Sequence, residues 1–335
     1  MKKKVLSVIK FVVPVVLLYY IFSIIDFERL TKIITDADLL LLSLVLLSVP
    51  IQYLLFTVRW HLLLDLIEQV KTNFRKLHSI LYKGLFVGFF VPGGVGIDVY
   101  RVLKVRKEYA IYKSNISTIF LEKIVGTASS LILIIVCYPF LEITKNETIA
   151  EIINYAYILI GAFCILLFLI GFKNAFLKGK FEGVMQQFML FLNAKIISLI
   201  NKISSKNHVL SHDEKIVEDI IKPVLSLKYI SIVFFFSIVI LIVKALFINI
   251  VFYALGFDIP FLANLFVVPL VNIISLIPIS FGGVGVRESA YILFYGYFGI
   301  PVEVSLIVSL ITFTFLLFNI FFGGLLMVRE NISDT

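Results

Sequence analysis

Pro92-Gly93-Gly94-Val95-Gly96-Ile97-Asp98 and Pro278-Ile279-Ser280-Phe281-Gly282-Gly283-Val284-Gly285-Val286-Arg287-Glu288 interrupt hydrophobic stretches in opposite halves of the chain and share Gly-Gly-Val-Gly. A matched pair of Gly/Pro-broken apolar segments points to a transporter-type site built from two structural repeats. Glycines at such a break leave backbone N–H groups unobstructed, and a helix that starts after it aims its positive dipole end at the same space.

The surroundings of the two breaks set the fold class. The chain has 335 residues, 60% of them hydrophobic, and a mean hydropathy of +1.05. Apolar segments run over 8–25, 39–58, 79–91, 116–140, 153–172, 229–255, 261–279, 289–300 and 302–328. Crossing a hydrocarbon core takes about 20 apolar residues in a helix. Backbone in lipid must satisfy its own hydrogen bonds, and these Leu, Ile, Val and Phe runs lack the alternation of an outer-membrane barrel. The expectation is an all-α, polytopic integral membrane protein. Segments 79–91 and 289–300 are short, which suits broken helices that enter the membrane and turn back.

Charge orients the chain. The Lys2-Lys3-Lys4 start, Arg59 to Lys83, Arg101 to Lys113, the lysine-rich 173–228 and the tail from Arg329 read as cytoplasmic, which puts both termini inside. Asp26 to Asp38, Glu142 to Glu151 and Gly256 to Pro260 read as exterior. The first break then dips from the cytoplasm and the second from outside, as in an inverted repeat. The division is a first helix and exterior linker over 1–38, one half over 39–140, a connecting span and amphipathic cytoplasmic loop over 141–228, and a second half over 229–335. All of it forms one transmembrane domain in a cell (inner or plasma) membrane.

The formal charge of +8 sits in short clusters beside apolar segments, so anionic lipid headgroups, and not nucleic acid, are the expected partner. Cys137 and Cys164 lie within apolar runs and read as packing residues. The basic start and apolar continuation resemble a signal peptide, but without a small-residue cleavage site the first helix is expected to be retained.

Charges inside the apolar runs carry the functional reading. Glu122, Lys123 and Lys244 occupy such runs, and a charge at mid-bilayer costs about 2.5–3.5 kcal/mol even on the lenient insertion scale. Each is expected to face a cavity or a partner, with Glu122 meeting one of the basic groups. For Glu122 and Lys123 a position at the helix end, reaching the interface, is the alternative. Asp98 with Arg101, and Arg287 with Glu288, place charge directly after each break. Arg101 and Arg287 could each grip a phosphate or carboxylate in two-pronged fashion. The competing reading makes both breaks helix-packing devices with satisfied ion pairs. The ligand-binding set is therefore Gly93, Gly94, Gly96, Asp98, Arg101, Glu122, Lys123, Lys244, Gly282, Gly283, Gly285, Arg287 and Glu288.

Enzyme motifs are missing. There is no His-Glu-x-x-His, P-loop or Gly-x-Ser-x-Gly element, and His208 with His212 lacks a third ligand pattern. No catalytic residue, metal site or cofactor is assigned.

Pro92-Gly93-Gly94-x-Gly96-x-Asp98-x-x-Arg101, Glu122-Lys123 with Gly126, and Pro278-x-Ser280-x-Gly282-Gly283-x-Gly285-x-Arg287-Glu288 together resemble the flippase-like family containing the transmembrane region of lysylphosphatidylglycerol synthases. The similarity covers nearly the whole chain, and its last motif is the most specific. Glu-Lys stands where Glu-Arg is commoner, which removes the planar fork at Lys123. The resemblance implies movement of a phospholipid, aminoacyl-phospholipid or polyprenyl-linked lipid between leaflets, with a separate lipid-synthesising enzyme as a possible partner. Bifunctional members add a soluble lysine-transferring domain, and this sequence matches only their membrane module. The alternatives are a lipid-modifying transferase, with Asp98 or Glu122 as base, and an ion-coupled secondary transporter.

Overall fold

Long apolar runs, which must bond their own backbone in lipid, make the regular structure of this chain helical. The computed structural model describes residues 19–21, 23–91, 95–141, 158, 223–224, 226–275 and 283–333, and every regular element among them is a helix. Most of the expected first helix, the 153–172 span, the amphipathic loop, Cys164, His208, His212, Gly93, Gly94 and Gly282 lie outside the described residues.

Asp26 and Asp38 start the first two helices, α1 (Phe27–Thr35) and α2 (Leu39–Val45), each accepting from two first-turn backbone N–H groups. The expected 39–58 span is longer than the apolar run. It continues from α2 through a short break into α3 (Ser48–Glu68), giving a 30-residue stretch able to cross a membrane. A hairpin of two short helices follows, α4 (Phe74–Phe89) and α5 (Val95–Tyr109), and then the long α6 (Lys113–Cys137). The second half repeats this order with long α7 (Leu227–Ala254), short α8 (Phe261–Ser275), short α9 (Val286–Gly296) and long α10 (Val302–Ser333). Among the described residues four stretches are long and apolar enough to span. The short helices have 16, 15, 15 and 11 residues. At 1.5 Å per residue none covers a core of about 30 Å.

Contacts orient the two hairpins. In the first, Asn73 N–H donates to Tyr109 Oη at 3.1 Å at the base, while Gly88 lies against Ile97 near the tip. In the second, Tyr295 Oη donates to Asn264 Oδ1 at 2.7 Å near the base. Helix α10 begins six residues after α9 ends, at the base of the second hairpin. Its far end carries Glu330, which pairs with Lys83 of α4 and Lys104 of α5. The hairpins thus enter from opposite ends of the molecule, with the Gly88 and Gly285 ends directed inward. Lys83, Lys104 and Glu330, from three segments read as lying on one side, meet at one end. At the other end the Asp38 N–H donates to Ala254 C=O at 2.8 Å.

Packing between the halves is reciprocal: α10 lies along α4, and α6 lies along α8. Lipid tails are as apolar as leucine, so such contacts depend on close approach more than on the hydrophobic effect. A Cβ placed on Gly323 would lie 2.1 Å from Tyr82 C=O, and one on Gly96 would lie 2.8 Å from Gly88 Cα. The largest apolar cluster joins α6 to α10, with Phe252, Val267, Tyr295 and Val308 fully enclosed. Exposed Leu54, Phe235, Leu246, Phe318 and Phe321 form outward faces suited to lipid.

Candidate functional site

Glu122 is the hub of the first polar centre. It is buried at 8% exposure on α6, and its two oxygens meet different arginines. Oε1 accepts from Arg59 Nε at 3.3 Å and Oε2 from Arg101 Nη1 at 2.8 Å. Arg59 also donates to Ser237 Oγ of α7 at 3.0 Å. The Arg101 guanidinium lies 4.1 Å from the Trp60 ring, whose indole N–H donates to Asn115 Oδ1. Asp98 lies 3.6 Å from Arg101 and 3.0 Å from Lys123. Three cations face two carboxylates, leaving one positive charge in excess. The Arg101 Nε–H, buried, has no acceptor among the described residues.

The second centre lies at the tip of the other hairpin. Gly285 has a φ of 83°, a left-handed value that glycine tolerates, and α9 starts directly after it. Its N–H donates to Glu288 Oε2 at 2.5 Å, and Arg287 donates to Glu288 Oε1 at 2.5 Å. Ser309 Oγ lies 3.3 Å from both Arg287 and Glu288, and the Phe313 ring lies 4.4 Å from the guanidinium. Lys244, in the middle of α7, donates to Asn272 Oδ1 at 2.5 Å.

Between Lys244 and Arg287 lies a cavity of about 160 Å³, bounded also by Ser48, Gln52, Tyr53, Tyr291 and Thr312. At roughly 30 Å³ per water, it has space for about five waters or one compact polar group. No carboxylate is among its lining residues that are described, though Glu288 pairs with Arg287. Arg287 is already paired with Glu288, so Lys244, held by a neutral amide, supplies the excess positive charge at this cavity, and in a low-dielectric surround its attraction for an anion is screened less than in water.

The two centres are neighbours. On α3 the cavity meets Gln52 and the ion cluster meets Arg59; on α7 the order reverses, with Lys244 at the cavity and Ser237 at the cluster. The leading long helices of the two halves therefore run antiparallel. Each separation is seven residues, or about 10 Å of helix. Two adjoining polar centres thus lie on one helix pair.

The remaining expected residues divide by environment. Glu122 is interior and paired with arginine, while the Lys123 side chain is 51% exposed at the rim. Gly96 is pressed against Gly88 and Val91, so its role in the described structure is close packing. Gly283 has a φ of 79° with open space beside it. The Gly285 N–H, expected to face an anion, is occupied by Glu288, because a carboxylate three residues into a helix reaches back to its first free donor. Arg59, Ser237, Trp60, Asn115 and Asn272 were not singled out in sequence. Arg59 reads as a flanking charge at the end of an apolar run, yet α3 continues nine residues past it and carries it inward. Outside the spans, the hydrogen bond and charge of Glu108 raise the Lys76 pKa. That pair's contribution is complete below the ordinary lysine range and is lost as pH rises through the elevated value.

No curated protein and no solved structure matches the chain. The family model described as the lysylphosphatidylglycerol synthase TM region matches residues 7–324, consistent with the two broken hairpins and the buried charges at their tips. The chain is thus a member of the lysylphosphatidylglycerol synthase transmembrane-region family, whose function concerns membrane lipids.

Proposed function

We propose that this protein moves a lipid with a phosphate-bearing headgroup between leaflets. The single observation that supports this reading most is the cavity at Lys244, where an ammonium held by a neutral amide stands beside the Arg287–Glu288 pair among spanning helices. The headgroup phosphate binds there, and the adjoining Arg59, Arg101, Glu122 and Asp98 cluster continues the polar route toward the opposite hairpin. Residues 39–140 and 229–335 act as inverted halves, and rocking one against the other exposes the route alternately.

The transferase reading has less support. Its candidate bases, Asp98 and Glu122, are each committed to two cations, a poor arrangement for taking a substrate proton. The deciding experiment reconstitutes the full chain in liposomes with a reporter phosphatidylglycerol in one leaflet and an activated group donor such as an aminoacyl-tRNA in the medium. Translocation changes only its sidedness, whereas a transferase changes its mass. Sidedness unchanged relative to protein-free liposomes removes the flippase reading.

A further inference from the structure

A second basic pocket lies at the base of the first hairpin, well away from the hairpin tips. It has a volume of about 220 Å³ and is formed by α4, α5 and the end of α10. Lys83 and Lys104 both direct their ammonium groups into it, and Lys83 is only 10% exposed. Both bind the Glu330 carboxylate: Lys83 meets Oε2, and Lys104 donates to Oε1 at 3.0 Å. Lys76 stands beside them but is engaged by Glu108 at 3.0 Å.

One donor is left over. Tyr100 lines this pocket, is 8% exposed, and its hydroxyl has no hydrogen-bond partner among the described residues. Native structures seldom leave a buried hydroxyl unpaired, so an orphan on a residue that lines a cavity points to a missing partner. A carboxylate offers two oxygens, and each is already engaged by one lysine. A phosphate monoester offers three acceptor oxygens and nearly twice the charge, which matches two ammoniums and one phenolic O–H.

We propose that this pocket is a phosphate-monoester site, distinct from the central cavity, in which the Glu330 side chain stands in for the ligand. Glu330 lies in the last turn of α10, so a side-chain rotation releases both lysines without moving a helix. The bound chemistry is either a lipid headgroup of the phosphatidic acid type or free phosphate. Occupation ties the end of α10 to the base of the first hairpin through the ligand in place of the direct ion pairs.

The test uses delipidated full-length protein in detergent, with affinity measured by native mass spectrometry for inorganic phosphate and, separately, for dihexanoyl phosphatidic acid. Glu330→Gln is expected to bind at least one of these about tenfold more tightly than wild type, because the internal competitor is gone. Adding Tyr100→Phe to that variant is expected to reverse the gain about tenfold, and Lys104→Gln likewise. Tighter binding of the short-chain lipid alone identifies a headgroup site; tighter binding of phosphate alone, or of both, identifies a site that reads the phosphate itself. Asn272→Asp, which alters only the central cavity, is expected to leave this binding unchanged. A folded Glu330→Gln with no gain for either probe, or a gain indifferent to Tyr100→Phe, overturns the proposal. If Glu330→Gln does not fold, Tyr100→Phe alone decides: undiminished wild-type affinity overturns it as well.

Discussion

Lys244 donates to Asn272 Oδ1 at 2.5 Å, so the ammonium in the middle of α7 is held by a neutral amide, a contact that supplies no compensating charge. An acid at that position would neutralise the cavity. The amide orients the lysine and leaves its charge available to an anion, which makes Asn272 the sharpest test of the proposed function.

Asn272→Asp is expected to keep the protein folded, because a buried lysine gains a charged partner of the same shape. Lipid movement should nonetheless fall at least tenfold, since the cavity then carries its own anion. Reporter-lipid sidedness in liposomes, with a thermal melt as the folding control, measures both. Unaltered transport would detach the cavity charge from the mechanism.

Lys244→Met and Arg287→Ala separate charge from architecture. Both should abolish transport. Lys244→Met should cost little stability, because it removes a buried charge and leaves a flexible apolar side chain. Arg287→Ala leaves Glu288 buried without its cation and should destabilise by about 3–5 kcal/mol. Denaturation midpoints of the two variants check the difference.

Glu122→Gln is expected to destabilise by about 3–5 kcal/mol, since Arg59 and Arg101 then face each other without their shared carboxylate. Adding Arg59→Met should recover a substantial part of the loss. Failure of the second change to help would show that the two arginines do not depend on one acid.

Gly323→Ala should cost about 1–3 kcal/mol through forced separation of α10 from α4, since the added Cβ falls 2.1 Å from backbone oxygen of Tyr82. Gly324→Ala should cost less, because its nearest neighbours are atoms of the Phe86 ring at 3.0 Å and a side chain can turn aside. Paired melting curves distinguish a backbone clash from general helix crowding.

Much of the site was legible because buried charge is rare in apolar sequence. Glu122 and Lys244 stand out against their surroundings, and both prove to have polar partners in the interior. Arg59 was not legible, because a basic residue at the end of an apolar run is the usual mark of a membrane boundary. Only the continuation of α3 to Glu68 revealed it as part of the core. Asn272 and Ser237 were invisible for a related reason: a single amide or hydroxyl in a membrane helix is common, and its meaning depends on what faces it.

What the amino-acid order determined by itself is the helical membrane architecture, the two breaks and the presence of charges that lipid cannot accommodate. Those follow from local physics: backbone in hydrocarbon must bond to itself, and a charge there must find a partner. The tertiary structure alone decided which partners meet, that Glu288 takes the Gly285 N–H, that Glu122 is shared by two arginines, and that Lys244 is left facing a cavity. Apart from the Gly285 contact, which spans three residues, such pairings join residues tens of positions apart, and they depend on how the helices pack, which no local pattern encodes.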